Sequence, residues 1–370
     1  MISSRVPAAL VAAALTAGLS PATACAAEEP PPAHGGPPTG VRLLGEQHVP
    51  WGTSFRGTTV GGLSGLDFDP RTGGWLFISD DRSQQQPARA YTADVEVRPD
   101  GIGPLRFTGT RPLQRPDGST YPEGSVDPEE IRFDPLSPAE WWTDEGDRGD
   151  RLVDTAIRAA RPDGGFAGQL PLAPNLAMRP DSGPRGNEAL EALTFAAGGS
   201  RVISAVESSL LQDGPAPTAE HGALGRITVQ DRGGRVLAQH AYPIDPVFAP
   251  GEDGNNGVAS IVADQRAPER LLVLERSYVS GVGNSIRIYE ADLRGATDVQ
   301  HVPALPGQQV RPVRKRLLAD LSDFGLQTVD NVEGITWGPR LPTGERTLFL
   351  VSDNNFSPSQ TTQLLGLAVR

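Results

Sequence analysis

The chain has 370 residues, a formal net charge of −12 and a single cysteine. That length accommodates either two ordinary domains or one large all-β domain. The acidic balance excludes a nucleic-acid-binding surface, which needs Lys and Arg to neutralise phosphates, and one cysteine excludes a disulfide framework.

The N-terminus has the pattern of an export signal over residues 1–26. Arg5 is the positive charge, Ala8 to Leu19 is the short apolar run, and Ala22-Thr23-Ala24-Cys25-Ala26 offers small-residue cleavage sites. The run is too short for a bilayer, which takes about 20 apolar residues, so the mature chain is expected to carry no transmembrane helix. Cys25 stands where a bacterial lipoprotein carries its lipidated cysteine; the alternative is its removal with the signal. A secreted or extracytoplasmic location is expected in either case. Residues 27–40, rich in proline and glycine, are expected to be a flexible lead-in.

Residues 41–370 are expected to form one domain, because the chain then repeats itself. The first unit is Gly62-Leu-Ser-Gly-Leu-Asp-Phe-Asp-Pro70 followed by Trp75-Leu-Phe-Ile-Ser-Asp-Asp81. The second is Pro128-Glu-Glu-Ile-Arg-Phe-Asp-Pro135 followed by Trp141-Trp-Thr-Asp-Glu145. The third is Leu190-Glu-Ala-Leu-Thr-Phe195 followed by Val202 to Ser208. The fourth is Asn256-Gly-Val-Ala-Ser-Ile-Val262 followed by Leu271-Leu-Val-Leu-Glu-Arg276. The fifth is Val332-Glu-Gly-Ile-Thr-Trp-Gly-Pro339 followed by Leu348-Phe-Leu-Val-Ser-Asp-Asn354. In each, an alternating strand leads through a turn to a second, almost wholly apolar strand, as burial on both faces requires. Two more strand-like stretches often follow, for example Ala90 to Val97 and Leu105 to Pro112, or Ser285 to Asp292 and Arg316 to Leu321. Four strands recurring about every 60 to 80 residues is the pattern of a β-propeller. Five blades are expected, with six as the alternative, and Val41 to Val49 is expected to close the ring on Thr362 to Val369, removing two sheet edges.

Aligning the repeats produces two columns of acids. Ser64, Glu129, Glu191, Gly257 and Glu333 occupy the innermost strand; Asp80, Asp144, Glu207, Glu275 and Asp353 end the next. Converging carboxylates bind a hard cation such as Ca²⁺, act as acid and base with separated pKa values, or cap and brace each blade. Glu129, Glu191, Glu333, Asp80 and Asp353 are the candidates for chemistry, and Asp144, Glu207 and Glu275 for a cation. Arg82 and Arg276 directly follow the second column, and with Asn331 and Asn354 they are the candidates for substrate binding, although either arginine also reads as a partner of neighbouring acids. The loop Asp144-Glu-Gly-Asp-Arg-Gly-Asp150 has the oxygen density for Ca²⁺ without EF-hand spacing, and Gly251 to Gly257 reads as a surface turn.

Several stretches resemble a known family: Gly61 to Pro70 with Ile78 to Ser83, Asp127 to Phe133, Leu272 to Ser277, and Asn331 to Trp337 with Val351-Ser-Asp-Asn-Asn-Phe356. The chain resembles the phytase-like family, described as carrying the esterase-like activity of phytase, over residues 60 to 370. The resemblance implies acids at the repeated positions and phosphoester hydrolysis. Other mechanisms lack their motifs. There is no Gly-x-Ser-x-Gly elbow, Arg-His-Gly cluster, P-loop or dinucleotide loop, and the five histidines are scattered. The expectation is an exported, monomeric phosphoester hydrolase, calcium-assisted, with a small phosphorylated substrate and no organic cofactor. The alternatives are a non-catalytic binding propeller at the cell surface and a carboxylate-based glycosidase or lactonase.

Overall fold

A computed structural model describes residues 40–149 and 151–370. The segment expected to be an export signal, most of the expected lead-in and Cys25 lie outside the described residues. Everything described falls within one compact unit, built on five four-stranded antiparallel sheets with three two-stranded ribbons between or beside them. Blade I comprises Leu63–Phe68, Trp75–Ser79, Arg89–Asp94 and Arg106–Pro112. Blade II comprises Pro128–Phe133, Glu140–Asp144, Ala156–Ala160 and Phe166–Leu170. Blade III comprises Ala192–Ala196, Arg201–Ala205, Ala223–Asp231 and Val236–Ile244. Blade IV comprises Asn255–Asp264, Ala267–Val279, Gly283–Asp292 and Arg314–Asp320. Blade V holds Asn331–Trp337, Arg346–Asp353 and Thr362–Val369, and takes its outermost strand from the other end of the chain, Val41–Val49. Five blades, not six, make the ring. Among the described residues no helix is long and apolar enough to cross a membrane.

The repeats now have physical reasons. In Phe-Asp-Pro, Asp69 and Asp134 cap the hairpin that follows: Asp69 accepts the Arg71 backbone N–H at 2.9 Å and Asp134 that of Leu136 at 2.9 Å. The apolar second strand serves both of its faces. Trp75 and Phe77 pack with Phe349 and Val351 of blade V, while Leu76 and Ile78 pack with Ile131 and Trp142 of blade II. Period-2 alternation thus feeds two inter-blade layers at once, which is why no polar residue interrupts it.

The closure pairs Val41 with Val369 through to Val49 with Thr362, antiparallel, with one bulge between Leu43 and Gly45. Removing residues 1–49, compared with removing only 1–39, is expected to raise the aggregated fraction, because it bares the edge of the apolar strand Thr362–Val369. Size-exclusion chromatography checks this; equal aggregated fractions from the two truncations would contradict it.

The ring axis is closed by one side chain that the repeat pattern did not single out. Arg132 is 2% exposed. Its guanidinium donates to Leu66 O of blade I at 2.5 Å, Leu193 O of blade III at 2.7 Å, Ile261 O of blade IV at 2.9 Å and Ile335 O of blade V at 2.8 Å. Within its own blade it pairs with Glu130 Oε2 at 2.7 Å. Glu130 also accepts the Ser260 hydroxyl, and burial, partly offset by Arg132, pushes its carboxyl up to about 8. One residue therefore ties all five blades together and divides the axis. An acidic cavity lies at one end. At the other is an apolar depression lined by Phe68, Phe133, Phe195 and Trp337.

Candidate functional site

The acidic end of the axis is a cavity of about 280 Å³. Each blade contributes to it through the start of its innermost strand or the end of its second. In blades II and V the innermost strand carries a bulge, between Pro128 and Ile131 and between Val332 and Gly334. A bulge inserts a residue that has no ladder partner and re-aims its side chain; the residues so displaced include Glu129 and Glu333, both of which line the cavity. Blade III presents Glu191 just before its innermost strand. Blade IV has Gly257 in that column because Glu207 fills the space: a Cβ on Gly257 would lie 2.3 Å from Glu207 Cγ.

The second column reaches the cavity at Asp80, Glu145, Glu207, Arg276 and Asp353. Of the residues expected to do chemistry, all five (Glu129, Glu191, Glu333, Asp80 and Asp353) line this one cavity, as do Arg82 and Arg276. Asn331 and Asn354 stand behind the wall. Asn331 donates to Glu333 Oε1 at 2.9 Å, and Asn354 Oδ1 accepts the backbone N–H of Gly62 at 3.0 Å and of Phe356 at 3.2 Å.

The set Asp144, Glu207 and Glu275 is not assembled; only Glu207 is on the cavity. Asp144 accepts the backbone N–H of Asp127 at 2.9 Å and pairs with Arg158. Glu275 accepts Tyr242 Oη at 2.7 Å, Asn256 Nδ2 at 3.1 Å and Lys315 Nζ at 2.5 Å. Successive residues of a strand face opposite ways, so aligning these two repeats one residue early selects the bracing face. The next residues, Glu145 and Arg276, face the cavity. Of the acidic loop 144–149 only Glu145 joins a carboxylate cluster. Glu145 and Asp127 are thus the site residues that repeat alignment missed, although both sit inside stretches already conspicuous in the sequence.

Two triads have carboxylate oxygens within 4.8 Å of one another: Asp127, Glu129 and Glu145, and Glu145, Glu191 and Glu207. Glu145 is common to both. Crowding and burial raise the whole set. Burial, then the charges of Asp353 and Glu333, lift Asp80 well above the carboxylate range. Burial, then Glu191 and Asp127, does the same to Glu129, and burial, then Glu145 and Glu207, to Glu191. Asp353 is raised by burial and by Glu333. Glu145 is pushed up to about 8 by burial and by Asp127. Glu207 rises to about 7 and Asp127 to about 6, burial outweighing Arg276 and Arg82 respectively.

Two cations sit among these acids. Arg276 Nη2 donates to Glu207 Oε1 at 2.8 Å, and Arg82 Nη1 lies 3.4 Å from Asp127 Oδ2. Arg82 Nε–H is buried without an acceptor and Asp80 Oδ1 without a donor, while Arg276 Nε faces Glu333 Oε1 at 3.5 Å. Buried polar groups are normally satisfied, so the cavity has recognition capacity of both signs: an orphaned donor on Arg82 for an anion, and clustered oxygens for a proton or a hard cation.

Comparison with known proteins follows this geometry. Among solved structures the chain is similar to a glucose dehydrogenase, at 15% identity and TM-score 0.39, covering 89% of this chain and 99% of that one. It is similar to the soluble aldose sugar dehydrogenase of Escherichia coli, at 12% identity and TM-score 0.40, covering 89% and 99%. It is also similar to the periplasmic gluconolactonase of Pseudomonas aeruginosa, at 12% identity and TM-score 0.36, covering 85% and 91%. No curated protein matches the sequence. Residues 58–356 match the phytase-like family, a span that begins just before blade I and ends on the loop bearing Asn355 and Phe356, and so contains every cavity residue named above. The chain belongs to the phytase-like family, described as esterase-like activity of phytase.

Proposed function

We propose that this chain is an exported hydrolase of phosphoric esters that works with a bound divalent cation, Ca²⁺ being the expected ion, on a small-molecule substrate. The observation that carries the reading is the coexistence, in one cavity, of two oxygen-only triads sharing Glu145 and two arginines, of which Arg82 has a buried Nε–H without an acceptor. The residues fit a hard dication, which takes oxygen ligands from carboxylates: Asp127, Glu129, Glu145, Glu191 and Glu207 would hold it. When bound, such an ion supplies charge neutralisation and polarisation of a phosphoryl oxygen.

The chain's own groups divide the remaining work. Arg82, whose Nε–H has no acceptor, binds phosphoryl oxygens with Arg276 beside it, through charge-assisted hydrogen bonds. Asp80, whose hold on a proton is strengthened by burial and by the charge of Asp353, is the group to donate to the departing ester oxygen. Glu207 and Glu333, paired with Arg276, keep that guanidinium charged against its burial. The clustered oxygens lie within 4.8 Å, tighter than the about 6.5–9.5 Å that an inverting glycosidase pair needs to admit water, which argues against an inverting glycosidase.

The test is phosphate and nitrophenol release from phytate and bis-p-nitrophenyl phosphate, by mature protein in Ca²⁺ and in EDTA. Activity is expected in Ca²⁺ and is expected to vanish in EDTA. Glu145→Gln, which weakens both triads while leaving the fold intact by circular dichroism, is expected to lower kcat/KM by about 100-fold, the upper range for a lost metal-supporting group. No release by folded wild-type protein would overturn the hydrolase reading in favour of a binding propeller. Release unaffected by EDTA would overturn the role of the cation.

A further inference from the structure

The cavity has one aromatic side chain, Phe356, and the chain is contorted to put it there. Asn355 and Phe356 have φ of 46° and 49°, two consecutive non-glycine residues in the left-handed region. That region is uncommon for any non-glycine residue and an outlier for a bulky one, and backbone held there marks a place where the surroundings enforce it, often a ligand site. The enforcement is visible. Asn354 Oδ1 accepts the Phe356 backbone N–H at 3.2 Å, Asp353 Oδ1 accepts that of Asn355 at 2.8 Å, and Asn354 O accepts that of Ser357 at 2.7 Å.

On the facing wall, room for the ring is made by the absence of side chains. A Cβ on Gly61 would lie 3.0 Å from Phe356 Cδ1. One on Gly62, itself at φ 61°, would lie 2.6 Å from Phe356 Cε2 and 1.9 Å from Asp80 Oδ1. The ring edge and the orphaned Asp80 oxygen therefore meet over Gly62. The buried Arg89 supports the ring, its Cζ 5.8 Å from the ring centroid. Phe356 stays half-buried where it lines the cavity. An apolar ring packed only to fill space would be drawn into one of the inter-blade layers, which lie elsewhere; this one is held by strained backbone at the mouth of a polar site.

We infer that Phe356 is a specificity-determining residue, forming an aromatic subsite beside Asp80 that takes the organic part of the ester, and that the preferred substrates are phosphoric esters of phenols or ring-bearing alcohols. This rests on the phosphoester reading for the identity of the anionic group. Phosphate held by Arg82 and Arg276 leaves its ester substituent to extend along the wall toward Gly62. A flat or ring-shaped substituent gains the Phe356 face there, and a methyl group does not.

Binding of phenylphosphonate and methylphosphonate, two non-hydrolysable probes, to mature protein in Ca²⁺ tests the subsite by calorimetry. The phenyl probe is expected to bind about tenfold more tightly to wild type, within the range of an aromatic pair. The ratio is expected to fall to about one in Phe356→Ala and in Phe356→Leu, which keeps apolar bulk without the ring, and to persist in Phe356→Tyr. Because the readout is a ratio within each variant, a general loosening of the loop does not imitate the result. A wild-type ratio near one, a ratio that survives in both Phe356→Ala and Phe356→Leu, or no binding of either probe would overturn the subsite. A phenyl preference without turnover of any ester leaves the subsite standing and removes the hydrolase reading; turnover with no phenyl preference does the reverse.

Discussion

Arg132→Met is expected to destabilise the propeller by about 3–5 kcal/mol, the cost of removing one partner from a buried, hydrogen-bonded ion pair. Methionine fills most of the volume, so the loss is electrostatic. Four carbonyls, of Leu66, Leu193, Ile261 and Ile335, lose a donor at the axis, and Glu130 loses its counter-charge. A buried acceptor left unsatisfied costs about 1–3 kcal/mol, so the central estimate already assumes relaxation or entry of water. Urea unfolding of the cation-free protein measures the effect. The double variant Glu130→Gln, Arg132→Met is expected to regain part of the loss, because it no longer strands a carboxylate. A single variant within 1 kcal/mol of wild type, on the scale of ordinary surface changes, would show that the axial guanidinium is not what couples the blades. Glu130 and Glu129 are neighbours on one bulged strand, so activity is expected to fall with stability in Arg132→Met.

The second large effect is a fall in stability as pH rises, in the absence of divalent cation. The folded protein holds Asp127 up at about 6, Glu207 at about 7, and Glu145 and Glu130 at about 8. The unfolded chain titrates the same groups near 4. Between those limits the native state binds more protons than the unfolded one, so each group's contribution is present in full below about pH 4 and is lost as pH climbs to the folded value. Asp127 alone corresponds to a loss on the order of 3 kcal/mol. Carboxylates shifted the other way do not mask this. Glu345 is held down at about 2 by its bonds to Arg42 and Thr343, so its titration is complete below the window.

In EDTA, the melting temperature is therefore expected to decrease by several degrees from pH 5 to pH 8. Saturating Ca²⁺ is expected to remove most of the slope. It replaces the protons as the neutralising charge, and at 100 times its Kd it adds about 2.7 kcal/mol. A melting temperature that holds or rises across this window in EDTA would show that the carboxylates are not crowded as described. The same slope with and without Ca²⁺ would show that they do not hold the ion.

These two predictions differ in how far the residues behind them were legible. The repeats in Gly62 to Asp81, Pro128 to Glu145 and Val332 to Asn354 carry the blade plan openly, because hydrophobic period and turn chemistry are local: Asp69 and Asp134 cap their hairpins within three residues, and the apolar second strands declare burial on two faces. Even the closure of Val41–Val49 on Thr362–Val369 follows from needing to hide two edges. The acids of the innermost strands were also readable, since Glu129, Glu191 and Glu333 recur in phase.

Phase at one-residue precision was not readable. Asp144 and Glu145, or Glu275 and Arg276, are equally plausible by sequence, and only the strand's orientation assigns one of each to the cavity and the other to the bracing bonds with Arg158 or Lys315. Arg132 was invisible for a different reason. Its partners belong to four other blades, 61 to 203 residues away along the chain, and nothing about a lone arginine in a strand announces them. Phe356 was in view as part of a matched stretch, but its meaning depends on Gly61 and Gly62, which lie at the opposite end of the ring's sequence. By itself, then, the sequence determined the propeller, the ring closure and the acidic character of one end, all consequences of local periodicity that recurs along the chain. The choice of five blades over six, which acids converge, which acids the two arginines pair with and what the lone aromatic faces were decided only by closing the ring, because each is a contact between residues that the chain keeps far apart.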